Sequence, residues 1–195
     1  MSKTRATTIQ QRFGFKDDDL KTATHDQLMM WLNENVEKVT NRVIANEWTE
    51  EDVGQATRYL TDPSLLKLTD LPERAPITIT EKIWEYPIIS GKYVIGFVDM
   101  LIRYKADSIT VFNEKGYDRY NEWRVSRFVN EPLCLEVKST IPSLGELIRQ
   151  IRMYQQYLQG CYVVVSPDAR FADAIRSQGI GFYHCVLDPL DVAMT

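Results

Sequence analysis

No apolar run in this chain approaches the ~20 residues that a membrane-crossing helix needs. The opening stretch, MSKTRATTIQQRFGF, also lacks the apolar segment of a secretory signal. An intracellular, cytoplasmic protein with no membrane partner is therefore the expectation. Cysteine is scarce: Cys134, Cys161 and Cys185 are odd in number, far apart and each set in an apolar stretch. That pattern suggests neither a disulfide framework nor a zinc cluster, and the three read as buried small hydrophobes. There is no surplus of positive charge. With a net charge of −4 and a pI near 5.3, the chain cannot coat nucleic acid by bulk electrostatics, so any such contact must be local. Between Lys105 and Arg127, five basic residues face four acidic ones, which makes no basic arm. The first twelve residues, with Lys3, Arg5 and Arg12 and no acid, are more basic. No internal repeat or low-complexity tract is visible.

What is present suffices for one core. A chain of 195 residues that is 44% hydrophobic is expected to form a single domain over 1–195. Residues 1–20 read as a polar arm, 21–75 as an N-terminal helical part, and 76–195 as a core interrupted by an excursion at 106–131. In the helical part, Thr24 followed by Gln27 fits a capping box, and Leu28, Leu32, Val36, Val39 and Val43 recur at helical spacing with Glu34 and Glu37 opposite. A second helix is expected from Glu50 to Leu60, capped by Thr49 with Asp52 in its first turn, and a short helical piece after Pro63.

From Pro76 the residues turn β-prone. KIWEYPII and KYVIGFVDMLIRY flank Ser90-Gly91 and predict a hairpin. The polar, aromatic stretch 106–131 reads as a long excursion or an extended hairpin. PLCLEVKS is a short strand, and SLGELIRQIRMYQQYL a helix with an apolar stripe at Leu144, Leu147, Ile148, Ile151, Tyr154 and Leu158. CYVVVSP, ARFADAIRSQG and FYHCVL follow as strand, helix and strand. The order implies an α/β fold, a mixed sheet flanked by helices.

Two places break the apolar pattern. Glu136 and Lys138 are two apart on one strand and so share a face, while Leu135 and Val137 take the other. Burying an unpaired charge costs several kcal/mol, so the two must compensate each other, bind something or face water. Asp99 stands inside VIGFVDMLI, a position where aspartate is disfavoured without a partner. If the two strands pair, Asp99 and Glu136 approach, and two carboxylates repel unless a cation or proton lies between them. A hard ion such as Mg²⁺ suits that pair.

GFVDM, then LEVKS, then a helix with Gln150-x-x-x-Tyr154 resembles the PD-(D/E)xK nuclease superfamily in its RecB-like branch, over roughly Trp84 to Asp168. The resemblance implies a restriction-endonuclease-like sheet and a Mg²⁺-dependent deoxyribonuclease, with Mn²⁺ able to substitute. Asp99 and Glu136 are then metal ligands, with the Val137 carbonyl completing the inner sphere. Lys138 positions or activates the water, and Gln150 and Tyr154 brace the site or contact DNA. Many relatives add an acid or histidine from the first helix or strand. His25 and Glu85 are the candidates, His25 reading more simply as a solvated residue at a helix start. Arg149 and Arg152 flank the helix face and could meet phosphate. No proline precedes Asp99, and three scattered cysteines do not fit the iron–sulfur cluster of some relatives. The implied partners are DNA and either a second copy or a larger DNA-processing complex. The alternatives are a non-catalytic interaction or DNA-binding subunit of the same fold, and an unrelated α/β protein whose charges form a structural ion-pair network.

Overall fold

Four apolar residues at helical spacing, Leu28, Leu32, Val36 and Val39, are at most 3% exposed on helix α1 (Ala23–Val43), while Glu34 and Glu37 face solvent. Each such burial is worth roughly 1.5–3 kcal/mol, enough to fix which face of α1 meets the sheet. The computed structural model describes residues 23–44, 47–112, 120–129 and 132–186. The arm at 1–20, the Thr24 side-chain cap, and 113–119 and 130–131 of the excursion lie outside the described residues.

Helix α2 (Glu50–Thr57) starts as expected: Thr49 and Asp52 exchange hydrogen bonds, Thr49 N donating to Asp52 Oδ2 at 2.8 Å and Asp52 N to Thr49 Oγ1 at 3.2 Å. It ends three residues earlier than Leu60, because Tyr120 claims the backbone there. Thr61 N donates to Tyr120 O and Tyr120 N to Tyr59 O. The short helical piece after Pro63 is a 3-10 turn, Pro63–Leu65, and a second one spans Leu68–Asp70.

Strands β1 (Thr78–Ser90) and β2 (Tyr93–Phe112) form the expected antiparallel hairpin. Gly91, at φ 59, supplies the left-handed residue that its tight turn requires. The excursion is an extended hairpin: β2 continues to Phe112, and β3 (Glu122–Val129) returns along it from Phe112↔Glu122 to Lys105↔Val129. Ile109, Val111 and Trp123 of this hairpin pack on Val53, Ala56 and Leu60 of α2 and its exit, a satellite core that gives the aromatic stretch its role. β4 (Leu133–Val137) then pairs antiparallel with β2 and parallel with β5 (Cys161–Ser166), which pairs parallel with β6 (Gly181–His184). The six strands thus make one mixed sheet, in the order β1-β2-β4-β5-β6 with β3 on β2.

The sheet has a helix on each face. Leu133, Leu135 and Val137 join Met100, Ile102 and α1 in one core, while Cys134, Val164 and Leu101 pack against helix α3 (Leu144–Gln155) in the other. The last expected helix is reduced to a 3-10 turn, Ala169–Phe171, and α4 (Ala172–Arg176). Asp168 draws the chain aside there, accepting from Arg170 N and Ile141 N. Cys134 and Cys185 are buried as expected, but Cys161 is exposed, because it is the first residue of β5, at the rim of the sheet. Among the described residues no helix is long and apolar enough to cross a membrane.

One buried acid ties the entry of β1 to the long hairpin. Asp107 accepts from Ala75 N at 2.8 Å and Arg127 Nη1 at 3.0 Å, while its carbonyl takes Arg74 Nη2 at 3.1 Å. Arg127 also reaches Pro76 O and Thr78 Oγ1. Replacing Asp107 by alanine strands the Ala75 donor and takes one partner from Arg127, so Asp107→Ala is expected to cost about 2 kcal/mol, read from the urea midpoint. A loss under half that size would show the segment to be held by apolar contacts alone.

Candidate active site

The site lies where two strands part. β2 and β4 pair only at Met100↔Leu135, Leu101↔Cys134 and Ile102↔Leu133. The next pair in register is Asp99 with Glu136, and there the ladder stops. Val137 N donates instead to Asp99 Oδ2 at 2.6 Å, a short charge-assisted bond in which a side chain replaces the missing backbone acceptor. β4 stays attached on its other side, where Lys138 N donates to Val165 O at 3.0 Å. In a parallel ladder that pattern turns the N–H and C=O of Val137 away from β5, toward Asp99. Around Asp99 the alternation of β2 is broken as well: Val98 and Leu101 both fall in the α3-side core, Met100 and Ile102 in the α1-side core. The carboxylate accordingly sits between the layers rather than on one face.

Glu136 and Lys138 do share a face. Lys138 Nζ is 3.0 Å from Glu136 Oε1, and both residues are buried. Gln150 Nε2 donates to the same Oε1 at 2.8 Å. The other oxygen, Glu136 Oε2, is buried with no hydrogen-bond partner. Burial pushes the Glu136 carboxyl above its ordinary pKa, with Asp99 adding to the rise and Lys138 opposing it. An ionised carboxylate with one bare oxygen is costly in such a place, and either a proton or a cation at Oε2 relieves it.

Helix α3 begins at Ser143, whose side chain accepts from Glu146 N, and this start puts Gln150 and Tyr154 one turn apart on the face toward β2 and β4. Gln150 bridges the two, donating to Glu136 and to the Tyr154 hydroxyl at 3.0 Å. Tyr154 is fully buried, so it is a core residue and also the support for Gln150. Its hydroxyl is held above its ordinary pKa by burial and by the Glu136 charge. The ring reaches β2 only because residue 96 is glycine: a Cβ there would meet the Tyr154 ring and hydroxyl at 2.5 Å. Gly96 has a positioning role that the sequence reading passed over, although a glycine inside an apolar strand is the signature of close backbone approach.

His25 is not a solvated residue at a helix start. It is 5% exposed, with Nε2 at 3.8 Å from Asp99 Oδ2. Burial opposes its protonation, but the neighbouring Asp99 carboxylate, aided by Glu136, raises its pKa above the ordinary value. α1 packs over the sheet at the level of Asp99, which brings the histidine in. Glu85 stands apart. It occupies the β1 position in register with Asp99, between Trp84↔Met100 and Tyr86↔Val98, but its side chain is exposed and its backbone is left-handed at φ 45. Arg149 is exposed, whereas Arg152 is engaged by Gln155 and the Gln178 carbonyl.

Among the described residues no three His, Cys, Asp or Glu side chains stand together as a ligand cluster. What fits a hard cation is the donor chemistry: two carboxylates, one with a bare oxygen, beside a carbonyl turned toward them. The chain matches no protein-family model, no curated protein and no solved structure.

Two substitutions check this geometry. Gly96→Ala is expected to destabilise by about 1–3 kcal/mol through overpacking, and by much less in a Tyr154→Leu background. Equal costs in the two backgrounds, measured by chemical denaturation, would remove the contact from the account. Glu85→Gly relieves a left-handed non-glycine residue worth about 1 kcal/mol and is expected to raise the melting temperature. A fall would show that the Glu85 side chain contributes more than its backbone costs.

Proposed function

We propose that this chain is a Mg²⁺-dependent deoxyribonuclease of the PD-(D/E)xK superfamily in its RecB-like branch, hydrolysing DNA phosphodiester bonds with weak sequence specificity or selectivity for structure. The observation that carries the reading is the buried Asp99–Glu136 pair at a strand divergence, with Glu136 Oε2 unpartnered and Lys138 on the same carboxylate. Asp99, Glu136 and the Val137 carbonyl would hold the ion, with His25 a further donor beside Asp99. When bound, Mg²⁺ or Mn²⁺ supplies Lewis-acid charge neutralisation and lowers the pKa of a coordinated water. Lys138, held 3.0 Å from Glu136 Oε1, would orient an attacking water and offset charge on the phosphoryl oxygens. Gln150, seated on Tyr154, keeps the Glu136 carboxylate from turning. Exposed Arg149 lies on the same helix and would meet a backbone phosphate, and exposed Glu85 would be a further acid on the strand beside Asp99. The setting is cytoplasmic, as a homodimer or within a larger DNA-processing complex.

One observation favours a rival. The 3.0 Å Lys138–Glu136 bond also suits a purely structural ion pair, in an α/β protein or in a non-catalytic DNA-binding subunit. Metal and turnover separate the readings. Incubated with Mg²⁺ or Mn²⁺, the full chain is expected to cleave at least one of single-stranded, duplex, nicked and branched DNA, and to stop in EDTA. Glu136→Gln is expected to weaken Mn²⁺ affinity in calorimetry, whereas Lys138→Ala should keep it and lose turnover ~10²-fold or more. Cleavage that persists in EDTA, or failure of the wild-type protein to bind Mn²⁺, sinks the nuclease reading and leaves the ion pair.

A further inference from the structure

Away from the site, a cavity of about 500 Å³ opens at the far end of β2, between α2 and the β2–β3 hairpin. Its floor is β2 from Ser108 to Val111. One wall is the α2 side, with Asp52, Gln55 and Tyr59, and Trp48, Arg74 and Phe128 complete it. The base is firm, since Val53, Ala56 and Leu60 pack beneath it on Ile109, Val111 and Trp123. Tyr59 is 61% exposed, a large ring left at the rim of a cavity. The Arg74 guanidinium lies 4.2 Å from the centre of the Trp48 ring and 4.0 Å from Asp52, which fixes the Trp48 face and balances the one acid against the one base.

We propose that this cavity takes an unpaired nucleobase of a single-stranded nucleic acid, the strand being the substrate on the nuclease reading above. The exposed Tyr59 ring, with Trp48 beyond it in the lining, offers a π-face, and base–aromatic stacking is the sequence-tolerant means of holding single strands. The Gln55 amide provides a donor and an acceptor for a base edge. A phosphate is the poorer occupant, because Asp52 stands on the wall and Arg74 is committed to it and to the carbonyls of Glu47 and Asp107. The volume falls within the roughly 300–1,000 Å³ of small-ligand sites. A base inside a duplex cannot present its face, so the cavity selects single-stranded segments. Both places lie on β2: Asp99 and Ile109 are about 33 Å apart along the strand at ~3.3 Å per residue, the reach of about ten stacked nucleotides.

The test measures binding apart from cleavage. In EDTA, the anisotropy of a fluorescein-labelled oligothymidylate of about 20 nucleotides is titrated with the full chain. Tyr59→Ala is expected to weaken binding about tenfold, Gln55→Ala less, and Tyr59→Phe, which keeps the ring, not at all. An unlabelled duplex of the same length should compete poorly. Binding by Tyr59→Ala equal to the wild type, a loss in Tyr59→Phe as large as in Tyr59→Ala, or equal competition by duplex overturns the proposal. Hydrolysis of bis(p-nitrophenyl) phosphate with Mn²⁺ tests the distant site separately, since that diester is too short to reach the cavity. If the wild type leaves it intact the nuclease reading fails, while the titration still decides the cavity.

Discussion

The bond from the Val137 amide to Asp99 is the constraint on which the site depends. A sheet that pairs to its end leaves no room between strands, and a sheet that simply parts leaves bare amides, each costly when buried. Here the carboxylate takes the place of the lost carbonyl, so β4 can leave β2 while still running beside β5. The gap that results admits Asp99 from one strand and Glu136 from the other without breaking the apolar cores above and below. His25 from the α1 layer and Gln150 from the α3 layer then approach the same gap from opposite faces of the sheet.

A second feature is the asymmetry of the Glu136 carboxylate. One oxygen accepts from both Lys138 and Gln150 and the other accepts from nothing. Desolvation of a charged oxygen is tolerated in folded proteins chiefly where function needs it. The Lys138 contact lessens the cost, and it does so as a point charge on a flexible stem and not through a bidentate fork.

Much of this was readable before any coordinates. Charges inside apolar strands marked Asp99, Glu136 and Lys138, helical spacing placed Gln150 with Tyr154, and the α1 stripe was placed residue by residue. These signals are local: each compares a side chain with its immediate neighbours and a backbone period. His25 gave no such signal, because its burial is decided by where α1 lands on a sheet formed far along the chain. The close seat of Tyr154 on Gly96 is likewise a distance between elements. The end of α2 at Thr57 depends on Tyr120, and the exposure of Cys161 depends on which strand outlasts which at the rim. The 106–131 segment stayed ambiguous because its apolar residues face a satellite core rather than the main one, which hides the alternation of a strand behind polar and aromatic residues.

The separations along the chain also bear on how the molecule assembles. The β1–β2 hairpin closes through a tight turn and can form early, but the Val137–Asp99 bond joins residues 38 apart and β4 reaches β5 only through the α3 crossover. Non-local parallel pairing of this kind is slow, since loop closure must precede its reward. The two acids are therefore brought together only once β4 docks on β2, a step that the β1–β2 hairpin does not supply. Until then each is an ordinary hydrated side chain, so a nascent or partly unfolded chain carries the residues of the site without its reactivity.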